Sequence, residues 1–512
     1  MTEPTFADRD AVARTDAHGV ALDCLAAGIA AALPERIVAD RVSVDGGILD
    51  IEPVDGTRIE YDLDDYDEIR LIGAGKAAGG MANALATRLG DRLAGGAVVT
   101  TNDSGGHASG TNGGSDAGTN ERSDDDDDEV GFPPGSPVDV LPGDHPLPSD
   151  RGVASTRRIV DIADGAGSND LVIAVVTGGG SALLAAPADP ISVDEFRTAA
   201  AELLASGASI DEINAVRKHC SAVKGGRLAR VAAPAAVLTL AVSDVVGDDL
   251  GVIASGPTAP DPSTYADALA VCDRYDLDLP AAVREHLQAG VAGDRPETPT
   301  AADPLFDRTR TVVVGNGRTA LDAAATAAAE QGYEPLVLAA GVRGEAREAA
   351  LSHVAIAEEC VETGSPAVPP CVLLSGGETT VTLGTADNRD GQDSRDGRDG
   401  RDGHRDRDGR DSEPDDGRHG GPNGEFVTSA GIALDRDGVV VASVDTDGID
   451  GTSGAAGGVV DADALDVNAA RDALARHDVA PLLDAADALL RTGPTGTNVN
   501  DLRVVVVTGP AE

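Results

Sequence analysis

The chain has 512 residues, 41% of them apolar, yet 88 acidic against 40 basic side chains leave a formal charge of −48. That length allows two or three domains with real cores, and so negative a chain excludes non-specific binding to nucleic acid or to an anionic membrane. An excess of carboxylates with 2% aromatics and three lysines, Lys76, Lys218 and Lys224, suits a halophilic cytoplasm, because molar salt screens charge repulsion within about 3 Å.

No segment approaches the roughly 18 unbroken apolar residues of a membrane span, and the first twenty residues lack a basic region followed by an apolar run. A cytoplasmic protein with small-molecule partners is expected. Cys24, Cys220, Cys272, Cys360 and Cys371 form no CxxC pair or Cys/His cluster, so neither a disulfide nor a zinc site is expected.

In chain order, EIRLIGAG, GGAVVT, DLVIAVVT, AAVLTLAV, RTVVVGNG, EPLVLAA, PCVLLSGG, GVVVASV and LRVVVVTG read as strands separated by alanine-rich helical stretches. That alternation predicts parallel α/β sheets with crossover helices, whose ligands bind where the strands end. Two stretches lack the apolar residues that offset ordering entropy, about 102–138 and the RDG-repeat tract at about 387–418; both are expected as solvated insertions.

The turns carry the chemistry. LIGAGKAAGGMA, residues 71–82, is a strand, a tight turn with Gly73 and Gly75, and a helix start, so an anion is expected there with Lys76 beside it. VVTGGGSALL, residues 175–184, places Gly178, Gly179, Gly180 and Ser181 in a second turn that suits a phosphate or oxygen cradle. INAVRKHCSAVKGGRLA, residues 213–229, reads as one helix with a polar stripe of Asn214, Arg217, Ser221 and Lys224 facing an anionic ligand. In SDVVGDDLGVIASGPTAPD, residues 243–261, Asp244 and Asp248 are candidate Mg²⁺ ligands, because closely spaced carboxylates at a strand end suit that ion. VVVGNGRTALDAA, LLSGGETTV, DTDGIDGTSGAAG and TGPTGTNVND are further polar, glycine-rich turns. Their accumulation predicts that both halves of the chain wall one cleft.

GAGKAA, TGGGSALL, EINAVRKHCSAVKGGRLA, SDVVGDDLGVIASGPTAPD, SGGETTV, TDGIDGTSGAAG and TGPTGTNVND, in that order, resemble the two-domain glycerate kinases whose C-terminal part is the MOFRL domain. The resemblance implies two α/β domains around a deep cleft, residues 1–300 and 301–512, and ATP-dependent phosphorylation of D-glycerate to 2-phosphoglycerate with Mg²⁺. It implies catalytic roles for Lys76, Arg217, Lys224 and Asp244, and nucleotide contacts at the two glycine turns and at Ser375, Gly376, Gly377, Glu378, Thr495 and Asn498. Phosphoryl transfer rests on positioning and charge neutralisation, which such parts supply.

One departure stands out. Where the family commonly reads GGRNQE, this chain reads GGPNGE, with Pro422 in the arginine position; either Arg217, Arg227, Arg318 or Lys224 supplies the cation, or the chain transfers phosphate less efficiently or to a somewhat different acid. Two other readings stay open. A nicotinamide-dependent hydroxypyruvate reductase would use the GxGxxA turns at Gly73 and Gly315, but the strand after Gly315 ends without an acid for a ribose hydroxyl. A non-catalytic sugar-acid binding protein is the reading that Pro422 alone supports.

Overall fold

The structure is a computed structural model that describes residues 4–101, 136–383 and 419–509. The RDG tract and nearly all of the 102–138 segment lie outside the described residues. Near the start, β1 (Val42–Asp45), β2 (Ile48–Ile51) and β3 (Ile59–Asp62) form a small antiparallel sheet.

Next come β4 (Ile69–Ala74), β5 (Leu93–Thr101), β6 (Val138–Gly143), β7 (Leu171–Val176), β8 (Ala236–Val242) and β9 (Thr309–Gly315). They form one sheet in the order β6-β5-β4-β7-β8-β9, parallel at every pairing. The central β7 and β8 are buried at every residue, which is why LVIAVV and AVLTLAV read as unbroken apolar runs rather than alternations. β6 is absent from the strands expected above, because VDVLPG is short and carries Pro142. A proline is tolerated at that edge, where no further ladder bond is needed. Since all six strands run the same way, the turns after β4, β6, β7, β8 and β9 meet along one edge.

The second sheet comprises β10 (Glu334–Val342), β11 (Cys371–Gly377), β12 (Val439–Asp445), β13 (Gly457–Val460), β14 (Leu489–Leu490) and β15 (Asp501–Val507). Its order is β10-β11-β15-β12-β13-β14, and only β10 and β11 are parallel. This corrects the expectation of a parallel sheet. β15 is buried at every residue and helices cover both faces, so its sequence carries the same valine-rich run that a parallel core strand would. Strand direction is set by connections, which the run does not encode.

The expected division at residue 300 also needs correcting. β9 belongs to the first sheet, although it lies beyond 300. The helix Asp16–Ala32, at the other end of the chain, packs on the second unit: a Cβ at Gly28 would stand 3.0 Å from the carbonyl oxygen of Ala320, and Thr497 donates to the carbonyl of Ala32. Leu22, Leu25 and Ile29 of this helix are fully buried, each stabilising the fold by roughly 1.5–3 kcal/mol relative to exposure. The two units are therefore each completed by sequence from the other's half.

Among the described residues, no single helix is long and apolar enough to cross a membrane. All five cysteines are free and buried.

Candidate active site

A cleft of about 1110 Å³ opens where the carboxyl edge of the first sheet faces the β11, β12 and β15 ends of the second. Lys76, Arg217, Lys224, Asp244, Gly179, Gly180, Ser181, Glu378 and Asn498 all line it. Residues scattered over more than 400 positions of sequence thus line one cleft.

The Lys76 turn does so in an unexpected way. Its amides are consumed internally: Gly75 N–H donates to Val99 O at 3.1 Å, Lys76 N–H to Gly178 O at 2.8 Å, and Ala77 N–H to Thr177 Oγ1 at 3.1 Å. No amide cradle is left over. What the turn offers is the ammonium, whose Nζ reaches across the cleft to Asp447 Oδ2 at 3.1 Å. Gly73 and Gly75, expected to touch a nucleotide, are packing glycines. A Cβ at Gly73 would lie 2.4 Å from Val175 O, and one at Gly75 2.0 Å from Thr177 Oγ1, with φ at +142°. They let β4 and β7 come together closely enough to aim Lys76.

In the 177–181 turn the glycines make room for neighbours. A Cβ at Gly178 would fall 2.6 Å from Asp244 Oδ2, and one at Gly179 would fall 3.1 Å from Lys76 Cγ and 3.2 Å from His145 Cδ2. The triple glycine is therefore a space through which Asp244, Lys76 and His145 approach one another. His145 went unnoticed in the sequence; its signal is DHPLP directly after a strand. Burial first, and then the Lys76 ammonium, pull its pKa down, which favours the neutral imidazole.

The 213–229 segment is not one helix. The helix Ile210–His219, held at its start by a reciprocal Ser209/Glu212 cap, ends at Cys220. A turn with Gly225 and Gly226 at φ +58° and +77° leads into a second helix, Arg227–Ala232. Asn214 and Arg217 face the cleft from the first helix, whereas Ser221 and Lys224 sit in the turn. Lys224 is 1% exposed and donates to Ser181 O at 2.7 Å and Leu184 O at 3.1 Å. Burial, with Arg217 nearby, brings its pKa down to about 7. Lys224 thus ties down the glycine turn. Lys218 faces elsewhere and pairs with Asp261 at 3.1 Å in the core.

The opposite wall is acidic. Asp445 and Gly377 each stand opposite Asp501 in the β-ladder, which brings Asp445, Glu378 and Asp501 together. Burial raises the carboxyl pKa of Asp244, Glu378 and Asp445, and like charges add to this for Glu378 and Asp445. Asp501 is neutralised by Arg503, a fully buried side chain that also donates to Thr379 Oγ1 at 2.8 Å and lies 5.1 Å from the Phe426 ring centroid. Sequence reasoning missed this pair, because an arginine inside RVVVV reads as an interruption.

Several candidates lie outside the cleft lining. Asp248 accepts from Asn316 Nδ2 at 2.7 Å and does not reach the acidic wall, because φ of +55° turns its backbone away; Asp249 lines the cleft instead. Ser375 is bonded to His353 Nε2 at 2.7 Å beneath the sheet. Gly376 packs near Leu321, and Gly377 lets β10 approach, since a Cβ would lie 2.3 Å from Val342 O. Thr495 closes the 446–447 turn through Thr446 O. Of the proposed substitutes for the missing arginine, Arg227 holds the carbonyls of Lys218 and Ser221, and Arg318 pairs with Asp322 at the surface. Arg217 and the unforeseen Arg343 line the cleft. Pro422 opens the helix Pro422–Ala433, whose first amides, on Asn423 and Gly424, are each capped by Asp450 at 2.8 Å.

Two α/β units thus close on one cleft, to which the first contributes Lys76, Arg217, Lys224 and Asp244 and the second Arg343, Glu378, Asp445 and Asp501. The model for a domain of unknown function, DUF4147, matches residues 20–288, and that of the MOFRL family matches residues 412–501. The chain belongs to this DUF4147–MOFRL family. It is 38% identical over 445 residues to an Agrobacterium vitis protein provisionally named a hydroxypyruvate reductase, covering 85% of this chain and 86% of that one. It is 34% identical over 447 residues to the D-glycerate 2-kinase of Thermotoga maritima, covering 86% and 91%. The crystal structure of a Thermotoga maritima glycerate kinase superposes with a TM-score of 0.71 at 31% identity, over 96% of this chain and 99% of that one.

Proposed function

We propose that the protein is an ATP-dependent glycerate kinase, transferring the γ-phosphoryl group to D-glycerate and giving 2-phosphoglycerate and ADP. One observation carries this reading: Lys76, from the first unit, meets Asp447 of the second at 3.1 Å and shares a single cleft with its Asp445 and Glu378. A compact ammonium beside clustered carboxylates suits a metal-bound phosphate chain.

Mg²⁺ fits the donor set, which is oxygen-rich and under mutual repulsion. Such an ion takes one or two carboxylates and completes its shell with phosphates and water. Glu378 and Asp445 would hold it, rather than the Asp244 and Asp248 pair expected from sequence. When bound, the ion neutralises charge on the phosphates. Lys76 stabilises the negative charge of the transferring group. Asp244, whose raised pKa favours proton uptake, accepts the proton of the attacking hydroxyl as the new P–O bond forms and the bond to ADP breaks. Lys224 acts indirectly, through the position of Ser181.

The reductase reading draws on the GxGxxA turns at Gly73 and Gly315 and on the Agrobacterium vitis relatives of that name. Against it, Gly73 and Gly75 are spent on strand packing, and a Cβ at Gly315 would meet Ile37 Cδ1 at 2.4 Å, so none of the three marks a dinucleotide contact. The acidic surface fits a halophilic cytoplasm, and the partners are ATP and D-glycerate, with no nucleic acid or membrane. The test is the purified chain in about molar KCl with ATP, Mg²⁺ and D-glycerate, followed for ADP. NAD(P)H consumption with hydroxypyruvate and no ADP selects the reductase; silence in both, from folded protein, selects a binding role.

A further inference from the structure

The cleft has a wall that the phosphoryl-transfer machinery leaves unused. Asn214 is 2% exposed and lines the cleft, and its Nδ2 has no hydrogen-bond partner among the described residues. A buried amide N–H left unmade is destabilising and is rare in folded proteins. Its polarity is set by its neighbours. Ser255 Oγ donates to Asn214 Oδ1 at 2.8 Å, so the 2.7 Å contact between Ser181 and Ser255 is one in which Ser181 donates and Ser255 accepts. With Oδ1 engaged, Nδ2 is the group left for a ligand. The clamp is built at a cost in backbone strain: Ala254, Ser255 and Gly256 run consecutively at φ +50°, +61° and +59°. Non-glycine residues in that region persist where the surroundings hold them, commonly at functional sites.

One helical turn further along the 210–219 helix is Arg217. It is half-buried and has no carboxylate within salt-bridge distance among the described residues, in a chain with 88 acids. Residues three apart on a helix share a face, and Phe196, Leu203 and Ile213 supply an apolar lining beside them, which strengthens any charge pairing made there. The cleft thus has two poles. A metal-bound phosphate chain belongs at the carboxylates and Lys76. An anion that brings no metal belongs at the pole of Asn214 and Arg217.

We propose that Asn214 Nδ2 and the Arg217 guanidinium form the subsite that takes the carboxylate of the acceptor acid, and so set the enzyme's preference for a hydroxy acid over a neutral polyol. This rests on the kinase reading above. The test is steady-state kinetics of full-length Asn214→Asp, Arg217→Gln and Ser255→Ala, varying D-glycerate and ATP independently. Melting temperatures with and without D-glycerate are measured in parallel.

Asn214→Asp and Arg217→Gln should raise the KM for D-glycerate about 10- to 100-fold, the worth of one charge-assisted hydrogen bond. The KM for ATP should stay within about twofold of wild type. Ser255→Ala, which frees the amide to turn, should shift the same constant in the same direction by less. A rise in the KM for ATP instead, a loss confined to kcat, or unchanged constants overturns the subsite. Should Asn214→Asp fail to fold, Arg217→Gln and Ser255→Ala decide. A wild type that makes no ADP overturns the kinase reading separately. In that case a melting shift with D-glycerate that Arg217→Gln abolishes sustains the subsite, and a shift it leaves intact removes it.

Discussion

Replacing Lys76 by alanine separates chemistry from stability. The side chain is 31% exposed and its visible partner is Asp447 at 3.1 Å, a partly solvated pair worth about 1 kcal/mol or less. For a unit of this size a loss of that order moves the melting temperature by about 2–4 °C. The backbone amide of Lys76, which helps to hold the 177–181 turn, survives the substitution. The loss in catalysis is much larger. Removing one preorganised donor from a developing anion typically lowers kcat about 10²- to 10³-fold, or about 2.7–4 kcal/mol. Lys76→Ala should therefore melt within about 4 °C of wild type while ADP formation from ATP and D-glycerate falls at least a hundredfold, in the range expected for a lost donor. Lys76→Arg should recover only part of it, since a planar guanidinium does not reproduce the compact point charge that the ammonium presents. Turnover within tenfold of wild type, or a turnover loss matched by a large fall in melting temperature, would refute the assignment.

Gly75→Ala should behave oppositely, lowering both melting temperature and turnover, because its Cβ would collide with Thr177 Oγ1 at 2.0 Å and displace the turn. Thermal melting beside the ADP assay distinguishes the two variants. Arg503→Leu strands Asp501 without its cation and should cost about 3–5 kcal/mol in denaturant titrations, with Arg503→Leu/Asp501→Asn regaining part of it. For Lys224, burial lowers the folded pKa to about 7 from 10.5. Between those values the unfolded chain binds the extra proton, so this group makes stability rise with pH, and below about 7 its contribution is flat. Lys224→Met removes that slope, and denaturant titrations at pH 7, 8 and 9 should show wild type gaining on the variant as pH rises.

The strands β4, β5, β7, β8 and β11 were legible because an apolar run between glycine turns leaves little else for the chain to do. The convergence of Lys76, Ser181, Asp244 and Glu378 was legible too, since the carboxyl ends of α/β strands share an edge. Less legible was what each glycine is for. Gly73, Gly75 and Gly178 read as amide donors, but they serve as absent side chains, which only the positions of Val175, Thr177 and Asp244 reveal. Likewise the polar stripe on 213–229 was read as one helix, and a turn at 220–226 breaks it while leaving Lys224 on the cleft.

By itself the amino-acid order determined the class of fold, the turns that carry chemistry and the excess of negative charge, because local periodicity and composition act over a few residues at a time. Only the tertiary structure decided that β9 joins the first sheet, that β15 runs antiparallel to its neighbours, and that Asp445 and Asp447 stand opposite Lys76. Those facts depend on contacts between segments up to 371 positions apart, and the free energy of such contacts comes from burial and charge that no short window of sequence contains.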